Sequence, residues 1–184
     1  MNIGPDYVFV CIPRTASVSL SRDWLVRYYG GVDLPAEMYH STEVPVEHIG
    51  KFTRTVVRNP YDRLLSLYHY VLLFTEEDRT RDGIPVGCTA AEFVQWCTQT
   101  GTKDTRWFNQ SMYFDRVRID AVVHWECLEN ELRLLPFVHE WHPTVRQNTT
   151  VHPPYQDELK SEFIAAVNIH SALDFERFGY IRCI

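Results

Sequence analysis

Tyr7-Val-Phe-Val-Cys-Ile12 runs directly into Pro13-Arg-Thr-Ala-Ser-Val-Ser19, and the reading of this stretch decides the fold. A short, unbroken apolar run has the length of a strand covered on both faces, so Tyr7–Ile12 is expected near the middle of a sheet. Ser17 is placed to cap a helix whose apolar residues Val18, Leu20, Trp24, Leu25 and Tyr28 recur at helical spacing, until Gly30-Gly31 ends it. The same order returns downstream. Phe52–Val57 reads as a strand, Asn59 as an N-cap, Pro60 as the first helical residue, and Leu64, Leu65, Leu67, Tyr68, Val71 and Leu72 as the buried stripe.

Further along, Thr89-Ala-Ala-Glu92 is a capping box for a helix through Cys97. Ala121–Trp125 is a third strand before a helix over Leu128–Val138, and an amphipathic helix over about Asp157–Leu173 precedes Asp174–Tyr180. Strands alternating with helices predict a layered α/β fold: a central, mostly parallel sheet flanked by helices, with ligands at the carboxyl ends of the strands.

At 184 residues the chain suits a single domain, 1–184, and no linker or repeat divides it. A net charge of -6 disfavours a general nucleic-acid partner. Of the 18 cationic side chains, 15 are arginine, a bias that suits bidentate gripping of phosphate or carboxylate. The five cysteines form no CxxC pair, so a reducing, cytoplasmic setting is expected rather than a disulfide framework. The first residues lack a basic leader and no membrane segment is expected, so the sequons at Asn109 and Asn148 are read as chance. The oligomeric state stays open.

Two loops carry chemistry. In Pro13–Ser19 a helix N-terminus offers free N–H donors, to which Arg14, Thr15, Ser17 and Ser19 add side-chain donors, a combination suited to an anion. GxxxxGK[ST] occurs nowhere, which weighs against ordinary ATP or GTP hydrolysis. In Arg58-Asn-Pro-Tyr-Asp-Arg-Leu-Leu-Ser66, Arg58 leaves a strand end and Ser66 lies two turns into the next helix, a spacing suited to one phosphate; Asp62 and Arg63 are assigned to a solvated face.

Cys11-Ile-Pro-Arg-Thr-Ala-Ser-Val-Ser-Leu20 resembles the 5′-phosphosulfate loop of the sulfotransferases, and Val57-Arg-Asn-Pro-Tyr-Asp-Arg-Leu-Leu-Ser-Leu-Tyr68 resembles their 3′-phosphate motif. Gln110, Val123-His-Trp-Glu-Cys-Leu128 and Asp174-Phe-Glu-Arg-Phe-Gly-Tyr180 are similar to further segments of the carbohydrate-type members. The resemblance implies a three-layer fold related to the P-loop NTPases and the donor PAPS, 3′-phosphoadenosine 5′-phosphosulfate. It implies donor contacts from Arg14, Thr15, Ala16, Ser17, Val18, Ser19, Arg58 and Ser66, and sulfuryl transfer to a hydroxyl, by default of a carbohydrate. Arg14 stands where the family has lysine, Ser17 where it has glycine, Val18 where it has threonine, and His124 where it has arginine. Two other readings stay open: a non-catalytic nucleotide- or glycan-binding module, and a P-loop-related phosphotransferase.

Transfer needs positive charge at the leaving phosphate, given to Arg14, and a proton acceptor. Among the eight histidines, His69, His139, His142 and His170 are assigned to packing or surface. His40, in Met38-Tyr-His-Ser-Thr42, resembles a histidine element of some family members and is the expected base, with Glu37, Glu43 and His48 in reserve. No metal is expected, since His139-Glu-Trp-His142 lacks a third ligand at recognisable spacing. Arg79–Gly87 and Gly101–Trp107 are expected acceptor walls, with Trp107 available to stack on a sugar.

Overall fold

The computed structural model describes residues 1–100, 105–107, 109–144 and 155–184; the Asn148 sequon and residues 101–104 of the expected acceptor wall lie outside them. In chain order the regular elements begin with β1 (Asn2–Ile3), β2 (Tyr7–Val10), a π-helical segment (Ser19–Leu25) continued by α1 (Val26–Tyr28), β3 (Val32–Asp33) and β4 (Phe52–Val57). They continue with α2 (Pro60–Val71), α3 (Glu76–Arg81), α4 (Ala90–Thr100), α5 (Ser111–Phe114), β5 (Ala121–His124), α6 (Leu128–Leu132), α7 (Ser161–His170) and α8 (Ala172–Phe178). The chain divides into two compact units, Met1–Arg58 with Met112–Thr149, and Asn59–Ser111 with Thr150–Ile184.

The first unit is α/β, with a five-stranded sheet in the order β3-β1-β2-β4-β5. β2 is fully buried and central, as its apolar run requires. It pairs in parallel with β4, and β4 in parallel with β5, whereas β1 runs antiparallel to both β2 and β3. The sheet is therefore mixed rather than mostly parallel. β1 and β3 are two residues each, too short to leave a periodic signal. Leu20, Trp24 and Leu25 pack with Tyr7, Phe9, Val56 and Val123 in the core of this unit. Tyr28, expected on the same stripe, is 39 % exposed. The wider π turn adds a residue per bond loop, so positions beyond Leu25 rotate off the face a regular helix would bury. Gly30, at φ 66°, ends the helix as the sequence predicts.

One side chain in this core was unforeseen. Arg54, midway along β4 and 2 % exposed, lies 3.6 Å over the Phe137 ring, 4.6 Å over Tyr7 and 5.0 Å over Phe52. Its Nε and Nη1 have no hydrogen-bond acceptor among the described residues, and burial brings its pKa down to about 9.

The second unit is helical among its described residues. Asn59 caps α2 by accepting the Tyr61 N–H at 3.0 Å, and the Thr89–Glu92 box opens α4, with the Thr89 N–H donating to Glu92 at 2.7 Å. Its core joins Tyr61, Leu64 and Leu65 of α2 with Phe93 of α4, Phe163 and Val167 of α7, and Phe175 of α8. Arg63, assigned to a solvated face, is fully buried and Asp62 nearly so, because every residue of α2 from Pro60 to Leu67 is enclosed. Periodicity cannot register a helix covered all round. Trp107, expected to stack on a sugar, is 4 % exposed and packs edge-on to Phe93 and Trp96. Part of the expected Arg79–Gly87 loop is α3, capped by Thr75. The terminal helix is two, broken at Ser171, and the helix after β5 stops at Leu132.

Polar groups tie this unit together. The fully buried Asp174 carboxylate accepts the Gln110 N–H (2.9 Å), the Ser111 N–H (2.7 Å) and the Ser111 hydroxyl (2.8 Å), which joins two motifs far apart in sequence. His170 lies alongside, 3.0 Å from the Ser171 hydroxyl and 3.2 Å from the Trp107 carbonyl. Burial first, then the Arg63 charge, hold the His170 imidazole at about 4 against an ordinary 6.5. The unfolded chain thus binds a proton that the folded protein refuses. The stability contributed by the neutral ring is complete above pH 6.5 and is lost as pH falls towards 4, at up to about 1.4 kcal/mol per pH unit. Urea unfolding of wild type and His170→Gln should give a stability difference that is flat above pH 7 and shrinks between about 6.5 and 4. A pH-independent difference would assign the acid sensitivity elsewhere.

Candidate functional site

β2 ends at Val10, and the chain passes through buried Cys11 and Ile12 into a turn that becomes helical at Ser17. Within that turn Arg14 and Ala16 adopt φ values of 65° and 62°, the described non-glycine residues with left-handed backbone. Each such position costs roughly 1–2 kcal/mol, so two within three residues persist only where the surroundings fix them. Three bonds do so. The Thr15 hydroxyl donates to the Ile12 carbonyl at 2.9 Å, the Leu20 N–H to the Ala16 carbonyl at 3.0 Å, and Arg58 Nη1 to the Arg14 carbonyl at 3.1 Å. Alternation of left- and right-handed residues before a helix turns successive N–H groups towards one concavity, the geometry that receives anions.

The sequence-predicted residues of this loop divide by exposure. Thr15, Ser17 and Ser19 are buried, while Arg14, Ala16 and Val18 are half-buried. The Thr15 hydroxyl proton is donated to the Ile12 carbonyl, so this side chain braces the loop. Ser17 is helical rather than a cap, so its Cβ carries no left-handed strain where the resembling motif has glycine. Ser66 is buried on α2, in the second unit.

Arg58, just beyond β4, has its guanidinium 4.3 Å over the Trp125 ring. The parallel register pairs Val57 with His124, which sets Arg58 beside Trp125 one residue further on. Stacking leaves the edge of a guanidinium, where its N–H donors lie, directed away from the ring. Trp125 was not singled out from the sequence, although parallel pairing of two strand ends holds the signal.

His40 is also brought to this edge. Tyr39 is anchored on the helix by a 2.6 Å hydrogen bond with Ser21 and by Arg22 4.7 Å over its ring. The adjacent His40 Nδ1 then donates to the Cys11 carbonyl at 2.6 Å. Because a carbonyl only accepts, Nδ1 carries the proton in the neutral ring and Nε2 is the basic nitrogen. Glu37 and Glu43 are exposed, and His48 sits half-buried in a short 3-10 turn. A second oriented histidine was not foreseen. His124, ending β5, donates its backbone N–H (2.6 Å) and Nδ1–H (3.3 Å) to Glu131.

Among the described residues no three His, Cys, Asp or Glu side chains converge as a metal set, and no helix is long and apolar enough to cross a membrane. All five cysteines are free thiols. No family model, curated protein or solved structure matches the chain.

The left-handed turn gives a direct expectation. Ala16→Val should destabilise the protein by about 1–2 kcal/mol, since a branched side chain is least tolerant of positive φ. Ala16→Gly should stay within about 1 kcal/mol of wild type or stabilise it. Equal midpoints for all three proteins in urea would mean that residue 16 is not left-handed in solution.

Proposed function

We propose that the protein is a PAPS-dependent sulfotransferase that moves a sulfuryl group to a hydroxyl, by default that of a carbohydrate, in a cytoplasmic setting suited to its free thiols. The observation that carries this reading is the strained Pro13–Ala16 turn at the carboxyl end of a central strand, held by Arg58. Support also comes from the resemblance of Cys11–Leu20 and Val57–Tyr68 to the two phosphate-binding motifs of that family.

In this reading the Pro13–Ser19 loop holds the 5′-phosphosulfate, and Arg58 and Ser66 serve the 3′-phosphate. The acceptor oxygen attacks sulfur as the bond from sulfur to the 5′-phosphate oxygen breaks, releasing adenosine 3′,5′-bisphosphate. His40 Nε2 takes the acceptor proton, and Arg14 stabilises the charge growing on the leaving phosphate. Arginine holds its own proton throughout, so Arg14 acts by charge and hydrogen bonds.

A second reading, a module that binds the nucleotide without transfer, is favoured by the inward-turned Thr15 hydroxyl and by the absence of a hydroxyl at Val18. Labelled PAPS offered to glycans, lipids, phenols and peptides separates the two. Transfer to any acceptor supports the enzyme; bisphosphate binding without transfer supports the module.

Two further results are expected. Calorimetric titration with adenosine 3′,5′-bisphosphate should show Arg58→Ala weakening binding by about 1.5–3 kcal/mol and Ser66→Ala by about 1 kcal/mol. Unchanged affinity in both would remove these residues from the site. In turnover, His40→Ala should lose about 10²- to 10⁴-fold with donor affinity nearly unchanged, whereas Arg14→Ala should lose both rate and donor affinity. Wild-type turnover in His40→Ala would transfer the base role to another residue.

A further inference from the structure

At the opposite end of β2 from the strained turn, the first unit carries a groove of about 310 Å³. Its walls come from Pro5–Tyr7 at the start of β2, Tyr28 and Tyr29 at the end of α1, and the Phe137–His142 segment. Bonds to the helix hold that segment in place: the Tyr29 hydroxyl donates to the Glu140 carbonyl at 2.6 Å, and Trp24 Nε1 to the His142 carbonyl at 2.7 Å. The rings are fixed against one another as well. Tyr28 stacks on His142 at 3.9 Å and 8°, Tyr29 meets Phe137 at 82°, and Tyr7 lies 4.5 Å from Phe137. Asp6 and Glu140 add carboxylates to the lining. The Tyr7 hydroxyl, on a side chain 1 % exposed, has no hydrogen-bond partner among the described residues. The volume lies at the lower end of the small-molecule range.

Charge decides what would enter. An anion would face two carboxylates and the negative faces of the rings. An organic cation would ordinarily suit such rings, but here three of them already serve cations of the protein. Arg54 lies over Phe137 and Tyr7, and Arg27 over Tyr28 at 6.0 Å. Arg54 is buried against the groove's Tyr7 and Phe137 rings and has no acceptor for its Nε or Nη1 among the described residues, so its field opposes a second cation on the same rings. A hydrocarbon would strip water from the carboxylates and imidazoles without replacing their hydrogen bonds. What remains is an uncharged ring with an apolar face for stacking and hydroxyl donors for the carboxylates. We propose that this groove is a binding site for a neutral pyranose unit, separate from the Pro13–Ser19 turn.

The inference stands apart from the sulfotransferase reading, and its test uses binding alone. The full chain would be titrated, followed by intrinsic fluorescence and NMR, with neutral hexasaccharides of β-1,4-linked glucose, mannose and xylose, with their sulfated forms, and with tetramethylammonium chloride. At least one neutral hexasaccharide should bind, its sulfated form more weakly. Tyr28→Ala should lower that affinity about tenfold, as loss of one stacked ring does. Asp6→Asn, which keeps the shape of an exposed side chain, should also weaken it and guards against a folding defect in the tyrosine variant. Binding of none of the neutral sugars, affinity unaltered by both substitutions, or a response to tetramethylammonium in their place would overturn the proposal.

Discussion

Parallel pairing of β2 with β4, and of β4 with β5, is the constraint on which the rest of the first unit depends. The register aligns Val10 with Thr55 and Val57 with His124, and the Thr55 hydroxyl adds a buried 2.8 Å bond to the Val10 carbonyl. Parallel strands must all leave the sheet at the same edge. The turn after β2, Arg58 after β4 and Trp125 after β5 are therefore neighbours although they lie far apart in sequence. Antiparallel pairing of any one of these strands would have sent its loop to the other end.

At that edge the backbone is held in an unfavourable state by its surroundings. Arg14 and Ala16 are left-handed without being glycine, and their carbonyls are bonded to Arg58 and to the Leu20 N–H. Arg58 itself is fixed by the ring of Trp125. A loop braced in this way keeps one conformation, and a rigid loop loses little conformational freedom on binding a ligand, which is what preorganisation contributes. His40, bonded to the Cys11 carbonyl, is oriented by the same stretch of chain that it would serve.

The second unit makes a different use of polarity. Asp174 gathers the backbone and side chains around Gln110 and Ser111. The segment carrying Asp174 thus holds the fold of this unit together. Arg177, one turn on, adds a 2.8 Å bond to the Ser111 carbonyl. Charges buried in this manner specify one arrangement because each would be costly if left unmet.

The sequence by itself determined the elements whose cause is local. The unbroken apolar run of Tyr7–Ile12, whose last two residues lie beyond the strand, the strand Phe52–Val57, the Asn59–Pro60 helix start, the Thr89–Glu92 box and the Gly30 stop were all legible, since each depends on residues a few positions apart. The special loops could be picked out for their residue types. Tertiary structure alone decided the rest. Two-residue strands β1 and β3 exist only because β2 offers an edge to pair with. Arg54, Arg63 and Trp107 are buried by partners that no local pattern names. Arg58 meets Trp125, and His124 meets Glu131, because strand register and chain reversal put them side by side. Contacts across sequence are set by which surfaces the whole chain can cover at once, and that is a property of packing rather than of periodicity.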